Sequence, residues 1–124
     1  MAAELHVELV AADRQVWSGE ARLVIARTPS GDIGVMPGHQ PLLSVLESGP
    51  VTIRLSDGGT VVAAVHGGFI SFADNKLSLL AEIAELADEI DVQRVEAELA
   101  RAKAEGDDAA ERRADVRLRT AATS

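Results

Sequence analysis

The chain has 124 residues and a formal net charge of −8, a size that fits one domain, or one compact domain with an appendage. The acidic balance excludes a nucleic-acid-binding role, because phosphates are bound by clustered Lys and Arg. The lack of cysteine excludes disulfides and thiolate metal sites. Since no signal peptide and no apolar stretch of about 18 residues is visible, we expect a soluble protein that is not exported.

The first 84 residues or so follow the period of two that is typical of β-strands. Residues 5–9 and 51–55 alternate apolar and polar side chains, and the 47 % apolar composition with only 2 % aromatics predicts an aliphatic core. Turn signals recur at short intervals: Ser18-Gly19, Pro29-Ser30-Gly31, Ser48-Gly49-Pro50, Asp57-Gly58-Gly59, Gly67-Gly68 and Asp74-Asn75-Lys76. The pattern predicts about ten short strands in a β-sandwich or flattened barrel.

After Asp88 the pattern changes to that of a helical hairpin. Val92, Val95, Leu99 and Ala102 form one helical stripe, with Asp88 or Asp91 as a possible cap at its start and Gly106 as the residue that ends it. A second helix is predicted from the acids at 107–108 to about residue 119. Because the second helix offers few large apolar side chains, we expect it to be weakly anchored and able to detach.

The sequence contains no recognisable catalytic set. His6, His39 and His66 are far apart and lack the spacing of a helical metal site, and there is no G-x-S-x-G elbow. His6 and His66 lie in strand patterns, where a histidine is usually a structural residue with satisfied hydrogen bonds. We therefore expect a non-enzymatic protein without a metal.

Glycine and proline crowd residues 31–42, the most informative segment of the chain. It carries three glycines and two prolines around His39, which predicts a tightly shaped loop of the kind that binds partners. The segment reads G-D-I-G-V-M-P-G-H-Q-P-L and resembles the G-x-[IL]-G-[IVL]-x-P-G-H-x-P-L motif of the epsilon subunit of F-type ATP synthases. Gly67-Gly68-Phe69-Ile70, followed by N-K-L-S-L-L-A at 75–81, is similar to that family's second signature.

The resemblance implies a non-catalytic central-stalk subunit that couples proton-driven rotation of the membrane ring to ATP synthesis in the catalytic head. It implies that the β domain, residues 1–86, binds the gamma subunit and the ring of c subunits. The helices, residues 87–124, would inhibit ATP hydrolysis by extending toward the catalytic alpha and beta subunits. The subunit would lie at the cytoplasmic face of the cell membrane, attached only through the complex. The implied ring and stalk contacts are Ser30, Gly31, Asp32, Pro37, Gly38 and His39.

Some members of that family also bind ATP as a regulatory ligand on the hairpin, through an I-D-x-x-R-A motif and arginines of the second helix. Residues 90–94 fit this motif, although Val95 replaces the final alanine, and residues 113–118 match the second-helix R-A-x-x-R-L pattern. The residues also allow a simpler interpretation, in which Asp91 caps the helix and Arg94 pairs with a nearby acid. The implied ATP contacts are Glu85, Ile90, Asp91, Arg94, Arg101, Arg113 and Arg117.

One alternative from another class stays open at this point. A free-standing β-sandwich adaptor with a helical tail is compatible with the composition and the periodicity, though not with the two paired motifs.

Overall fold

The computed structural model describes residues 4–123, which form eight β-strands followed by two helices. The strands are β1 (Leu5–Ala11), β2 (Gln15–Ala21), β3 (Leu23–Thr28), β4 (Gly31–Val35), β5 (Leu42–Val45), β6 (Gly49–Arg54), β7 (Thr60–Ala73) and β8 (Lys76–Leu86). A 3₁₀ turn (Ala87–Glu89) leads to α1 (Val92–Glu105) and α2 (Asp108–Thr123). The predicted fold class, a β-sandwich followed by a helical hairpin, is confirmed.

The strands form one open sheet in the order β2-β1-β8-β7-β6-β3-β4, with β5 paired to β7. All pairs are antiparallel except β1 with β8. Within the described residues β2, β4 and β5 each pair with one strand and remain edges, so the sheet folds over its core as a sandwich and does not close into a barrel. The core is aliphatic apart from one ring, as the composition predicts; its largest side chains include Leu5, Leu9, Ile53, Phe72 and Leu79.

The turn predicted at Gly67-Gly68 is wrong, because both residues lie inside β7. Before the glycines the odd-numbered Ala63 and Val65 face the sandwich core; after them the even-numbered Ile70 and Phe72 do. The positive φ angles of the two glycines, +71° and +133°, rotate the backbone so that the other set of alternate side chains faces the core. The strand itself continues in the same direction. A Cβ at Gly68 would lie 2.0 Å from the Leu80 carbonyl oxygen, so the close approach to β8 also requires glycine. One long strand, β7, thus replaces two short ones, which contributes to the count of eight strands within residues 4–123 instead of about ten.

The hairpin turns predicted at Asp57-Gly58 and Asp74-Asn75 are confirmed. Gly58 has a φ of +96°, and the Leu55 amide donates to the Gly59 carbonyl across the first turn. Asp74 and Asn75 both adopt the left-handed region, with φ of 52° and 58°, as two-residue turns between antiparallel strands require.

The ends of the helices follow the capping residues of the sequence. Asp91 caps α1 by accepting a hydrogen bond from the Arg94 amide at 3.2 Å, and Gly106 ends it with a φ of +69°. The second helix continues to Thr123, beyond the predicted end near Arg119, because two alanines prolong it. Val92, placed on the buried stripe by its spacing, is 40 % exposed. No helix within residues 4–123 is long and apolar enough to span a membrane.

The hairpin packs on the first half of β7. Residues 62–66 of β7 are buried on both faces, because the sandwich core covers one face and α2 covers the other. A small second cluster joins the two units; it contains Ala64, Ile90, Val95, Ala114 and Val116. The α2 helix contacts β6 and β7, and α1 packs on α2. The apolar contact between the hairpin and the sheet is therefore small: its buried side chains are alanine, valine and isoleucine, with Leu99 and Leu118 packed at its margin and only partly buried.

Candidate functional site

An open cleft of about 690 Å³ lies where the hairpin meets β7 and β8. Strand β8 contributes Glu85, α1 contributes Arg101, and α2 contributes Arg113 and Arg117. Four of the seven residues that the sequence suggested as ATP contacts therefore line one cleft. The pairing of β7 with β8 and the antiparallel packing of the two helices bring them together from distant points of the chain.

Arg117 lies at the centre of the cleft and links the sheet to both helices. Its Nε is 2.6 Å from Glu85 Oε1, and its Nη2 donates to Glu85 Oε2 at 3.0 Å. Its Nη1 donates to Glu98 Oε2 on α1, also at 3.0 Å. The three side chains are only 21–30 % exposed, so water screens these charges less than at an open surface. The contacts make Arg117 a latch that holds the hairpin against β8.

The other three suggested ATP contacts have local roles. Asp91 caps α1, and Arg94 pairs with Glu98 at 3.3 Å while its side chain stays 76 % exposed. Ile90 is buried in the small cluster beneath the helices. The simpler interpretation of Asp91 and Arg94, as a cap and a surface ion pair, is thus what the geometry shows for these two side chains.

Charges of both signs line the cleft. Its acids are Glu85, Glu98, Glu105 and Asp107, and its bases are Arg101, Arg113 and Arg117. The Arg117 side chain is held by carboxylates, whereas the side chains of Arg101 and Arg113 form no ion pair or hydrogen bond within residues 4–123. Two guanidinium groups therefore remain able to bind an anionic ligand.

His66 also lines the cleft, although the sequence predicts only a structural residue of a strand at this position. It is only 6 % exposed, and its Nδ1 is buried without a hydrogen-bond partner among the described residues. The expectation of a satisfied structural histidine is wrong for this residue, because α2 covers it but supplies no acceptor or donor. Burial lowers the pKa of His66, an effect that the nearby Glu85 opposes and Arg117 and Arg113 reinforce. By contrast, His6 is bonded to Glu20 at 2.8 Å, which raises the pKa of His6.

The turn between β3 and β4 carries Ser30, Gly31 and Asp32. The Thr28 hydroxyl donates to the Gly31 carbonyl at 2.9 Å and accepts from the Ser30 amide at 3.3 Å. Gly31 has a φ of +113°, which only glycine adopts without strain. The Asp32 carboxylate is 3.2 Å from Arg27 Nε and stays exposed. The turn is therefore fixed by its own hydrogen bonds while its carboxylate remains accessible.

Pro37, Gly38 and His39 lie in the connection between β4 and β5. The Gly38 amide donates to Asn75 Oδ1 at 2.8 Å, and His39 Nδ1 donates to the Gln40 carbonyl at 2.7 Å. The His39 ring also meets the edge of Phe72, with centroids 6.0 Å apart. The two halves of the predicted contact region are separated by the five residues of β4, roughly 13–17 Å of strand. They flank an edge strand and do not form one compact site.

An apolar strip crosses the outer surface of β5, β7 and β8. Val45 pairs with Phe69, which pairs with Leu80, and these side chains are 49 %, 55 % and 50 % exposed. Leu43, two residues before Val45 and on the same face, is 77 % exposed. Contiguous exposed apolar side chains mark interaction surfaces. The alternating pattern of the sequence does not reveal this apolar strip, which we define as Leu43, Val45, Phe69 and Leu80.

The family model that matches this chain describes the ATP synthase delta/epsilon chain β-sandwich domain and covers residues 4–87. A curated relative from Streptomyces avermitilis, an ATP synthase epsilon chain, is 90 % identical over 96 % of both chains. The chain belongs to the ATP synthase delta/epsilon chain family. The epsilon chain of Streptomyces coelicolor is 84 % identical over 98 % of both chains, and that of Rhodococcus jostii is 53 % identical over 86 % of this chain and 85 % of the relative.

Two solved structures of ATP synthase assemblies contain chains with the same fold. A chain of the Euglena gracilis mitochondrial ATP synthase, in a structure of OSCP, F1 and the c-ring, superposes with a TM-score of 0.75 at 22 % identity. That match covers 95 % of this chain and 77 % of the other. A chain of the Tetrahymena thermophila central stalk and c-ring gives a TM-score of 0.60.

Membership of the family decides between the two interpretations of the sequence, an ATP synthase epsilon subunit and a free-standing adaptor. The resemblance drawn from residues 31–42 is confirmed, and the free-standing adaptor is set aside. As an epsilon chain, the protein is a non-catalytic subunit of ATP synthase.

Replacing Arg117 should loosen the epsilon hairpin without unfolding the sandwich. We expect Arg117→Met to lower the protection of α2 amides against hydrogen exchange by about 1–2 kcal/mol, because Glu85 and Glu98 lose their shared cation. Arg119→Met is the matched control, since among the described residues the Arg119 side chain pairs only with Asp115 of its own helix, at 3.6 Å. Equal α2 protection in the two variants would show that the apolar cluster alone holds the hairpin.

Proposed function

We propose that the β domain docks on the gamma subunit of the central stalk through the apolar strip, and on the ring of c subunits through the loops that flank β4. The observation that carries the proposal is the strip itself: cross-strand neighbours that are each about half exposed, on a sandwich whose core is otherwise well covered. A rotor subunit must transmit torque, which requires attachment through a rigid surface, and a paired sheet is such a surface. The stalk and ring assemblies that contain the two distant structural relatives support this choice of partners.

The two loops at the ends of β4 suit polar partners at the ring. Ser30, Gly31 and Asp32 offer an exposed carboxylate among small side chains, which allows close approach of another backbone. Pro37, Gly38 and His39 offer a loop held in place by Asn75 and Phe72. Since membrane association then comes through the ring, the epsilon subunit lies peripherally on the cytoplasmic side of the cell membrane.

The hairpin is proposed to regulate the direction of catalysis. Its apolar contact with the sheet is thin, and one arginine latch supplies most of the charged contact, so an alternative partner of similar strength can release it. Four arginines between 112 and 119 would then face acidic surface on the alpha and beta subunits and hold the extended helices there. In that position the helices would inhibit ATP hydrolysis.

ATP is proposed as a ligand of the docked hairpin. Arg101 and Arg113, which have no ion pair among the described residues, would bind its phosphates in the cleft beside Glu85 and Arg117. Ile90, Asp91 and Arg94 lie outside that cleft's lining, so they would act by shaping α1. The acids of the cleft limit the affinity, which suits a sensor of millimolar nucleotide better than a tight cofactor site.

The gamma contact is tested by a charge in the apolar strip. Phe69→Asp should weaken binding to the isolated gamma subunit by about tenfold or more, because it places a carboxylate in an apolar contact. Val92→Asp introduces the same charge at an exposed apolar position of α1 and should bind as the wild type does. Binding measured by light scattering or calorimetry that is equal in both variants would refute this docking face.

The ring contact is tested by cross-linking, for which a chain without native cysteine is convenient. A cysteine at Ser30 should form a cross-link with the c subunit in the assembled complex. A cysteine at Asp57, in the turn at the opposite end of β3, should not. Products that contain only the catalytic subunits would contradict the proposed orientation.

The nucleotide site is tested by titrating the isolated subunit with ATP. Arg113→Ala should lower the affinity at least about tenfold, since it removes one charge-assisted phosphate contact. Arg119→Ala, a change of the same charge on an exposed part of α2, should leave it unaltered. A wild-type subunit that does not bind ATP at millimolar concentration would exclude the ligand while leaving the stalk role untouched.

A further inference from the structure

His66 is the one histidine that the hairpin covers. It lies on β7 beside Ala64, on the face that α2 buries, and is 6 % exposed with its Nδ1 unpartnered among the described residues. His6 and His39 are on other surfaces and each has a hydrogen bond. A proton added to His66 would therefore enter the contact between sheet and hairpin, whereas a proton added to the other two would not.

Glu85 is the carboxylate that could act as counter-ion to a protonated His66, but it is already paired with Arg117. In the β7–β8 register His66 is opposite Ile83, and Glu85 is two residues further on the same strand, so the two side chains are diagonal neighbours on one face. Both Glu85 oxygens are engaged by Arg117, at 2.6 and 3.0 Å. An imidazolium at position 66 must either draw Glu85 away from the latch or remain buried without a counter-ion.

The other charges around His66 do not offer a better partner. Strand β8 also presents Glu82, which is exposed beside Gly67. The remaining charged groups that line the two adjoining clefts are Glu98, Arg101 and Glu105 of α1, Asp107 of the turn, and Arg112, Arg113 and Arg117 of α2. The helix that covers His66 thus faces it with guanidinium groups, and protonation would place like charges together.

We propose that His66 acts as a proton-sensitive release for the hairpin: protonation of its imidazole opposes the Arg117 latch and shifts the hairpin from the docked to the undocked position. The helices must move away for the imidazolium to become hydrated, and the Arg117 latch and the small apolar cluster both oppose that movement. The inference concerns docking alone, so it holds whether or not the undocked helices inhibit hydrolysis.

The direction of the pH effect follows from the two states. Burial lowers the pKa of His66 below its ordinary value of 6.5 when the hairpin is docked, and undocking restores it. The docked state therefore binds fewer protons. The contribution of neutral His66 to docking is complete above about pH 6.5. It decreases as the pH falls from there toward the pKa that His66 has in the docked state.

The test is a distance measurement between the sheet and α2 as the pH is changed. Cysteines that replace Asp57 and Ala122, both exposed, carry a fluorescent pair in the otherwise cysteine-free chain. Between pH 7.5 and 5.5 the docking equilibrium should shift about three- to tenfold toward the undocked state. In His66→Met the shift should disappear, and in the control His6→Gln it should persist. The same shift in His66→Met as in the wild type would overturn the proposal.

A second measurement keeps the proposal testable if His66→Met fails to dock. The His66 imidazole is titrated by NMR in the wild type and in Val116→Asp, which introduces a charge at a buried position of α2 and should displace the helix. The pKa of His66 should be below 6.5 in the wild type and higher in Val116→Asp. An equal pKa in the two proteins would show that the hairpin does not hold His66 neutral.

Discussion

The position of the hairpin depends on Arg117 and its two carboxylates. Glu85 belongs to the sheet and Glu98 to α1, so a single side chain of α2 fixes three elements at distances of 2.6–3.0 Å. The apolar cluster beneath it is built largely of alanine and valine, and such small side chains bury little area. Because the latch is charged and partly exposed, its strength responds to every other charge that enters the cleft.

The sandwich does not share this dependence. Its core draws fully buried leucine, isoleucine, valine and phenylalanine side chains from strands throughout the sheet, and β7 contributes to it on both sides of the corner at Gly67 and Gly68. The link to the hairpin is also anchored: Arg14 contacts both oxygens of Glu89, at 3.2 and 3.3 Å, and the Leu86 amide donates to the same carboxylate. A hairpin that undocks would therefore bend after Glu89, near Ile90 and Asp91, while the sheet stays in place.

Local chemistry made part of this structure predictable from the sequence. Asp91 and Gly106 cap a helix through their own side chain or backbone, and Asp74-Asn75 turns a hairpin, whatever the rest of the fold does. Gly67-Gly68 shows where prediction from local sequence ends, because the same dipeptide fits a hairpin turn or a corner within a strand. The close contact of Gly68 with the Leu80 backbone, which the sequence does not reveal, selects the corner. The strip at Phe69 was missed for the same reason: the corner changes which alternate residues face inward. Arg117 and Glu85 were singled out as ATP contacts, but their ion pair and the second carboxylate, Glu98, were not predicted, because the two acids lie 32 and 19 residues from Arg117.

On the proposed functions, the cleft would couple three kinds of ligand to one docking equilibrium. A nucleotide that binds the free guanidiniums would favour the docked hairpin, a proton on His66 would oppose it, and an acidic partner surface would compete for the same arginines. Ligands that act on one two-state element are linked, and the linkage is reciprocal. If nucleotide binds only the docked hairpin, acidification would lower the apparent affinity of the subunit for nucleotide in proportion to the fall in the docked fraction, even though no proton need touch the nucleotide. A weakly held hairpin is in this sense a requirement of regulation, since a tightly packed one would respond to none of the three.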